Sequence, residues 1–213
     1  AIHALGDTSR IVTAYTRDFG LRKFVAKGAR KQPSRFGFAL EPLSRSRFVY
    51  YEKADRDLHL LSKAEVIDPL GSRLADLTRL SHAQAALELV DRLVWGEEPH
   101  GELYDLLLAT LDGCARAPVA SLPAVTLAFQ LQLAAELGYR PRLDACAVDG
   151  QPVSQRRLFS PERGGLVCEG CAGREGGVVV LSAEALASFA LLLARPVSEA
   201  GDYLEVPRSA ELL

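Results

Sequence analysis

Three of the chain's four cysteines fall between Leu143 and Arg174, and their spacing limits what that stretch can fold into. Cys168 and Cys171 stand at Cys-x-x-Cys spacing, with Gly170 and Gly173 allowing the tight turn that aims two thiolates at one point. A structural zinc site is closed by four ligands, two from each of two such knuckles. Here the first knuckle reads Cys146-Ala147-Val148-Asp149, with a carboxylate where a second thiol would stand. Three readings are open: zinc held by Cys146, Asp149, Cys168 and Cys171; zinc whose fourth ligand is water or a distant residue; or a decayed knuckle without metal. The rest of the chain divides around this stretch. A basic β-rich segment and a leucine-rich helical segment precede it, and a short strand and one helix follow.

A chain of 213 residues has room for two small domains with cores of their own. No run of eighteen apolar residues is present, so no membrane partner is expected. No secretory signal pattern stands at the start, and clustered thiols fit a reducing cytoplasm better than a disulfide framework. The chain contains no methionine, so its start is expected to be trimmed. Its net charge of −2 conceals an asymmetry. Residues 1–53 carry eleven Lys and Arg against four acids, a net +7, which leaves −9 on the remainder. A basic segment on an acidic body suggests a polyanion-binding domain on a support.

Residues 1–70 read as strands and the turns between them. Ile11–Tyr15, Leu21–Ala26, Arg47–Glu52 and Leu58–Val66 are β-branched, aromatic or alternating, and Asp55-Arg56-Asp57 reads as a turn. Short strands punctuated this way suggest a small barrel. Lys27–Arg35, broken by Gly28 and Pro33, reads as an exposed basic loop. Residues 72–138 read as three helices of one small bundle. The first carries Leu74, Leu77, Leu80, Leu87, Val90 and Val94, and the second Leu103, Leu107, Leu111 and Cys114. The third carries Val125, Ala128, Leu131, Ala134 and Leu137, with Ser121 as its cap and Gly138 as its stop. Val178–Leu181 reads as a strand, and Ser182 caps a helix from Ala183 to Ala194. The tail from Val197 is weakly patterned.

Enzyme signatures are absent: there is no phosphate-binding glycine loop, no G-x-S-x-G and no H-E-x-x-H. The four histidines are scattered, so no covalent catalysis is expected. The N-terminal segment instead interleaves cations with Tyr15, Phe19, Phe24, Phe36, Phe38, Phe48, Tyr50 and Tyr51. Cations that neutralise phosphates beside aromatic platforms are how small barrels hold single strands. More than half of these rings are nevertheless expected in the barrel core, because strand alternation buries every second one.

Several stretches together resemble the RecO family of bacterial recombination mediators. They are L-G-D-T-S-R-I-V-T-A-Y-T-R-D-F-G (Leu5–Gly20), V-A-K-G-A-R-K (Val25–Lys31), S-R-F (Ser34–Phe36), E-P-L (Glu41–Leu43), K-A-E (Lys63–Glu65), F-Q-L-Q-L-A-A-E-L-G-Y-R-P-R-L-D-A-C (Phe129–Cys146), F-S-P-E-R-G-G-L-V-C (Phe159–Cys168) and S-A-E-A-L (Ser182–Leu186). The resemblance implies an α+β chain with an N-terminal OB-fold barrel, an α-helical domain and a small zinc-ribbon-like cysteine-knuckle region. The boundaries read from the sequence are an OB-fold DNA-binding domain at 1–70 and a helical domain at 71–213 with the knuckle inserted at 143–174. Three departures stand out. The first strand is short, the usual last helix is hard to find, and Asp149 replaces a cysteine of zinc-binding members.

The function implied is non-enzymatic: binding single- and double-stranded DNA, annealing complementary strands and, with RecR, loading RecA on DNA coated by single-stranded-DNA-binding protein (SSB). The localisation implied is cytoplasmic and nucleoid-associated. Candidate DNA contacts are Arg10, Arg17, Lys23, Lys27, Arg30, Lys31 and Arg35. The family engages the acidic, partly apolar C-terminal tail of SSB, and Leu131, Leu137 and Tyr139 beside Arg140 and Arg142 are the candidate surface. A competing reading is a zinc-knuckle interaction protein that binds RNA or a protein partner without annealing.

Overall fold

The structure, a computed structural model, describes residues 1–52, 56–74, 76–96 and 98–203. Asp55 of the expected turn and the tail beyond residue 203 lie outside the described residues. Backbone packing divides the chain into two compact units, Ala1–Val119 and Ala120–Leu213.

The first unit is built on a five-stranded sheet: β1 (Ile2–Leu5), β2 (Ser9–Thr16), β3 (Gly20–Ala26), β4 (Arg45–Tyr51) and β5 (Leu58–Asp68), in the order β1-β2-β3-β5-β4. The first three strands form an antiparallel meander. β5 then runs parallel to β3, with His59 opposite Phe24, and β4 lies antiparallel to β5. This strand order is that of the OB-fold, a partly open five-stranded barrel. Alternation fills its interior with Val12, Ala14, Phe24, Ala26, Phe48, Tyr50, Leu61 and Ala64. Phe24 meets Phe48 and Tyr50 edge-on at 5.3 and 5.1 Å between ring centres. The connector between β3 and β4 adds Ala29, Phe36 and Leu40 to this core. The loop Lys27–Arg35 is thus not wholly exposed, because Ala29 anchors it. Of the eight aromatics of the segment, Phe24 and Phe36 are buried, Phe48 and Tyr50 pack against them, and Tyr15 is half-buried; Phe19, Phe38 and Tyr51 are exposed. Arg22, on the inward face of β3, lies 3.0 Å from Nε2 of buried His59. A guanidinium can only donate, so Nε2 accepts.

After β5 come a single turn, α1 (Leu70–Arg73), and two helices, α2 (Leu77–Leu93) and α3 (Gly101–Arg116). Asp76 caps α2 by accepting from the N–H groups of Thr78 and Arg79. Val90 is buried as the spacing predicts, beside Ala83 and Ala86, while Leu80 and Leu87 are half-buried and Leu77 is 78% exposed. The helix begins at Leu77, one turn later than the leucine spacing implies, which leaves that residue in a solvent-facing first turn. α3 buries Leu103, Leu107, Leu111 and Cys114 as the spacing predicts. Burial pushes the Cys114 thiol up to about 11, partly opposed by the charge of Arg79, so this cysteine is a packing residue. Arg79 ties the two helices by donating to the Cys114 carbonyl at 2.8 Å.

The second unit contains α4 (Leu122–Glu136), β6 (Leu158–Ser160), β7 (Gly165–Val167), α5 (Glu169–Ala172), β8 (Val179–Val180), α6 (Ala183–Ala194) and α7 (Ala200–Tyr203). The three helices expected in one bundle are therefore divided between the units. α4 packs on α6 and α7, and Gln132 donates to the carbonyls of Leu192 and Arg195 at 2.6 and 2.9 Å. Ser121 precedes α4 but its side chain makes no cap bond, whereas Ser182 accepts from Ala185 N–H at 3.0 Å and caps α6 as expected. By length and composition alone, Val119–Glu136 is apolar enough to cross a membrane. In the fold it is a core helix, with Leu122, Val125, Phe129 and Leu133 buried.

Candidate nucleic-acid interface and metal centre

The seven candidate DNA contacts are spread over the barrel unit. Pairing of Arg10 with Ala26 sets Arg10 beside the start of the β3–β4 connector, which carries Lys27, Arg30, Lys31 and Arg35. Arg10 and Arg30 line one open groove together with Ile2, His3, Ala4, Glu41 and Pro42. The groove is not purely cationic, since Arg10 donates to Glu41 at 3.0 Å. Arg30 is held against the β1–β2 turn, its guanidinium on the Gly6 carbonyl at 2.8 Å and its N–H on the Thr8 carbonyl at 3.0 Å. Lys27 and Lys31 are exposed on the same connector. Arg35 is committed to the protein: it stacks 4.6 Å from the Phe36 ring centre and donates to the carbonyls of Leu61 and Ser62.

Lys23 and Arg17 stand apart from this group. Lys23 is exposed on β3 opposite Thr13. Arg17, in the β2–β3 turn at the other end of the strands, pairs with Asp105 of α3 at 2.8 Å. The same end carries three further ties to the helical segment. Tyr15 hydroxyl donates to the His100 carbonyl at 3.3 Å, its ring lies 6.2 Å from that of Tyr104, and Leu21 N–H reaches the Gly96 carbonyl. OB-folds bind oligonucleotides across the face of their second and third strands. Here one end of that face is covered by α3 and the turn before it. The connector end stays open, and Arg45 and Arg47 are exposed on the outer face of β4. Their alternation with inward Phe48 and Tyr50 was the sequence signal that could have placed them on this face.

The cysteine stretch converges as its spacing predicts. One ligand atom each from Cys146, Asp149, Cys168 and Cys171 lies within 4.8 Å of every other. The Asp149 carboxylate is divided in its roles. Oδ2 accepts from the thiols of Cys171 and Cys168 at 3.3 and 3.5 Å, while Oδ1 accepts from Gln151 N–H at 3.0 Å. Tetrahedral zinc, with bonds of about 2.3 Å to sulfur and 2.0–2.2 Å to oxygen, sets sulfur and oxygen about 3.5 Å apart. The donor set therefore fits a divalent ion with one Asp149 oxygen as the fourth ligand and the other fixed by the backbone. Hydrogen bonds from Cys146, Gln151 and Cys171 hold the Asp149 carboxyl down at about 2. The carboxylate, then Cys168, push the Cys171 thiol up to about 12. Burial raises Cys146, but backbone N–H groups of Asp149 and Cys168 outweigh it and leave it lowered. Three thiols and a carboxylate thus share protons that a bound cation would displace.

The scaffold of this centre depends on a glycine that sequence reading passed over. Cys146 sits in a turn closed by Gly150 N–H on its carbonyl, and the turn docks on β7 through Ala147 N–H to the Leu166 carbonyl at 2.7 Å. Beside that bond a Cβ at Gly165 would stand 2.7 Å from the Arg142 carbonyl oxygen. Only glycine lets β7, which leads into Cys168, approach the segment that leads into Cys146. Cys168 starts α5, and Cys146, Leu158 and Val167 form a small core beneath the cluster.

Of the candidate partner surface, Leu131 and Leu137 are half-buried and Tyr139, Arg140 and Arg142 are exposed. Gly138 ends α4 at φ +88°, and Tyr139 N–H returns to the Ala134 carbonyl at 2.7 Å, which fixes where Tyr139 leaves the helix. Arg142 lies 3.9 Å from Asp144.

Two family models match the chain: Recombination protein O N terminal over residues 2–70 and Recombination protein O C terminal over residues 74–207. The DNA repair protein RecO of Anaeromyxobacter sp. (strain K) is 37% identical over 185 residues, 86% of this chain and 72% of the relative. That of Streptomyces griseus is 38% identical over 196 residues, covering 89% and 77%, and that of Heliobacterium modesticaldum is 35% identical over 193 residues, covering 88% and 68%.

Proposed function

Because the chain belongs to the RecO family of DNA repair proteins, we propose that it is a recombination mediator that binds single- and double-stranded DNA and anneals complementary strands. With RecR it helps load RecA on SSB-coated DNA in the bacterial cytoplasm, at the nucleoid, and it performs no covalent chemistry. The observation that carries this reading is an OB-fold barrel whose connector presents Lys27, Arg30 and Lys31 beside an open groove lined by Arg10. Phosphate contacts of this kind bind both DNA forms, and their strength falls linearly with log salt. The Cys146–Asp149–Cys168–Cys171 centre takes zinc and serves structure. Its surroundings mix Asp144, Glu162 and Glu169 with Arg156, Arg157 and Arg174, which gives no one-signed field for phosphate.

The SSB tail docks at Leu131, Leu137 and Tyr139, with Arg140 and Arg142 meeting its acids. Exposed Tyr139, following half-buried Leu131 and Leu137 and joined by the exposed side chains of Arg140 and Arg142, supports that placement. The deciding experiment is annealing of SSB-coated complementary oligonucleotides with and without RecR. Faster pairing than the protein-free control is expected; pairing at the control rate, with or without RecR, rejects the mediator. For the tail surface, an SSB tail peptide is expected to bind Arg140→Ala more weakly than the parent, and equal binding removes Arg140 from the site.

A further inference from the structure

We propose that Phe38 is a stacking platform for an unpaired nucleobase, and that it gives the barrel a preference for single strands which its cations alone do not supply. This inference rests on the DNA-binding reading above.

Phe38 is 82% exposed, while Phe36, Ala39 and Leu40 around it in the sequence are buried. Its backbone is fixed from both directions. The Phe38 carbonyl accepts from Glu41 N–H at 3.1 Å and from the Ser44 hydroxyl at 3.2 Å, and Ala39 N–H reaches the Phe36 carbonyl at 3.1 Å. A large apolar ring is thus held out to solvent by a turn whose neighbours are anchored in the barrel core. That geometry costs hydrophobic burial and lowers the ordering entropy of anything stacked on the ring.

The same turn is tied to cations on two sides. Through Glu41 it meets Arg10. Through the Ala39 carbonyl, which accepts from the Ser46 hydroxyl at 2.8 Å, it meets β4 between exposed Arg45 and Arg47. A ring on a turn tied to strands that carry guanidinium groups matches one flat base with phosphates alongside. In a duplex each base already has both faces stacked, so the ring finds a partner only where bases are unpaired. The cations, by contrast, meet phosphates in either form.

The test uses the full chain and compares it with Phe38→Ala and Phe38→Tyr. The probes are oligothymidylate, a duplex of equal length, and a single strand carrying one 2-aminopurine. Unfolding curves of the variants control for folding, which an exposed ring should not disturb. Phe38→Ala is expected to lose about tenfold in single-strand affinity. Its duplex affinity should stay within about twofold and its salt slope should be unchanged, because no phosphate contact is removed. Quenching of 2-aminopurine should fall in Phe38→Ala and persist in Phe38→Tyr. The proposal is overturned if Phe38→Ala binds the single strand as the parent does, or if both DNA forms weaken alike. If the parent binds neither form, the DNA-binding reading fails and this inference falls with it; binding by the parent with an inert Phe38→Ala overturns the inference alone.

Discussion

A single carboxylate decides the character of the candidate metal centre. The Cys-x-x-Asp spacing was legible, and so was its convergence with Cys168 and Cys171. The division of labour between the two oxygens of Asp149 was not, because it depends on the Gln151 N–H, which a turn brings round. Metal analysis of the purified protein is expected to find zinc that Asp149→Ala loses and that Asp149→Cys holds longer against a chelator, a soft ligand replacing a hard one. A parent without metal whose Asp149→Cys variant gains it would mark the knuckle as decayed. Gly165 carries the second prediction at this scale. A methyl group there meets the Arg142 carbonyl at 2.7 Å and Ala147 Cβ at 3.1 Å. Gly165→Ala should therefore cost roughly 1–3 kcal/mol of stability, read by denaturant unfolding, and reduce metal content along with it. One glycine among 17 carries no mark in the sequence that its neighbour is a backbone oxygen.

Helix boundaries show which local signals were sufficient. Ser182 and Ser121 look alike as serines before apolar runs, yet only Ser182 has the extended backbone, ψ 164°, that turns its hydroxyl onto the first turn. At Ser121 ψ is −5°, and the residue already closes a 3-10 turn. Ser182→Ala should cost about 1 kcal/mol and Ser121→Ala close to nothing, a contrast that paired thermal unfolding curves can resolve. In α2 the spacing named Val90, which is buried, but not Ala83 and Ala86, small enough for close approach, which the fold buries beside half-buried Leu80 and Leu87. The β3–β4 connector was read correctly as basic but not as a plug, since Ala29, Phe36 and Leu40 lack any period that would announce burial. Changing Arg30 and Lys31 together to Ala is expected to weaken DNA binding for all sequences alike and to flatten the salt slope by up to about two. Affinity left within about twofold would move the DNA path to Arg45 and Arg47.

For the molecule as a whole, the change from strand to helix patterns near residue 70 marks where element type changes. It carries no sign of which helices pack on the strands. The ties from Tyr15, Arg17 and Leu21 to residues 96–105 are long-range contacts that no periodicity encodes. The candidate metal centre lies within Ala120–Leu213 and the basic connector within Ala1–Val119. Chelation is therefore expected to raise amide exchange from residue 143 to residue 181 while leaving the barrel protected and DNA affinity within about twofold. Exchange that rises across β1–β5 as well would show that the two units depend on one another.

The pairing of β3 with β5 sets an order of events during synthesis. Lys23, Phe24 and Val25 find their partners in Leu58, His59 and Leu60, and among the described residues β4 pairs in the sheet with β5 alone. Until the ribosome has released that fifth segment, the nascent meander keeps an open edge and the aromatic faces of Phe24 and Phe48 lack their lid. The barrel must then assemble by closing a long loop rather than by zipping neighbours, a slow route that leaves apolar surface to chaperones in the interval.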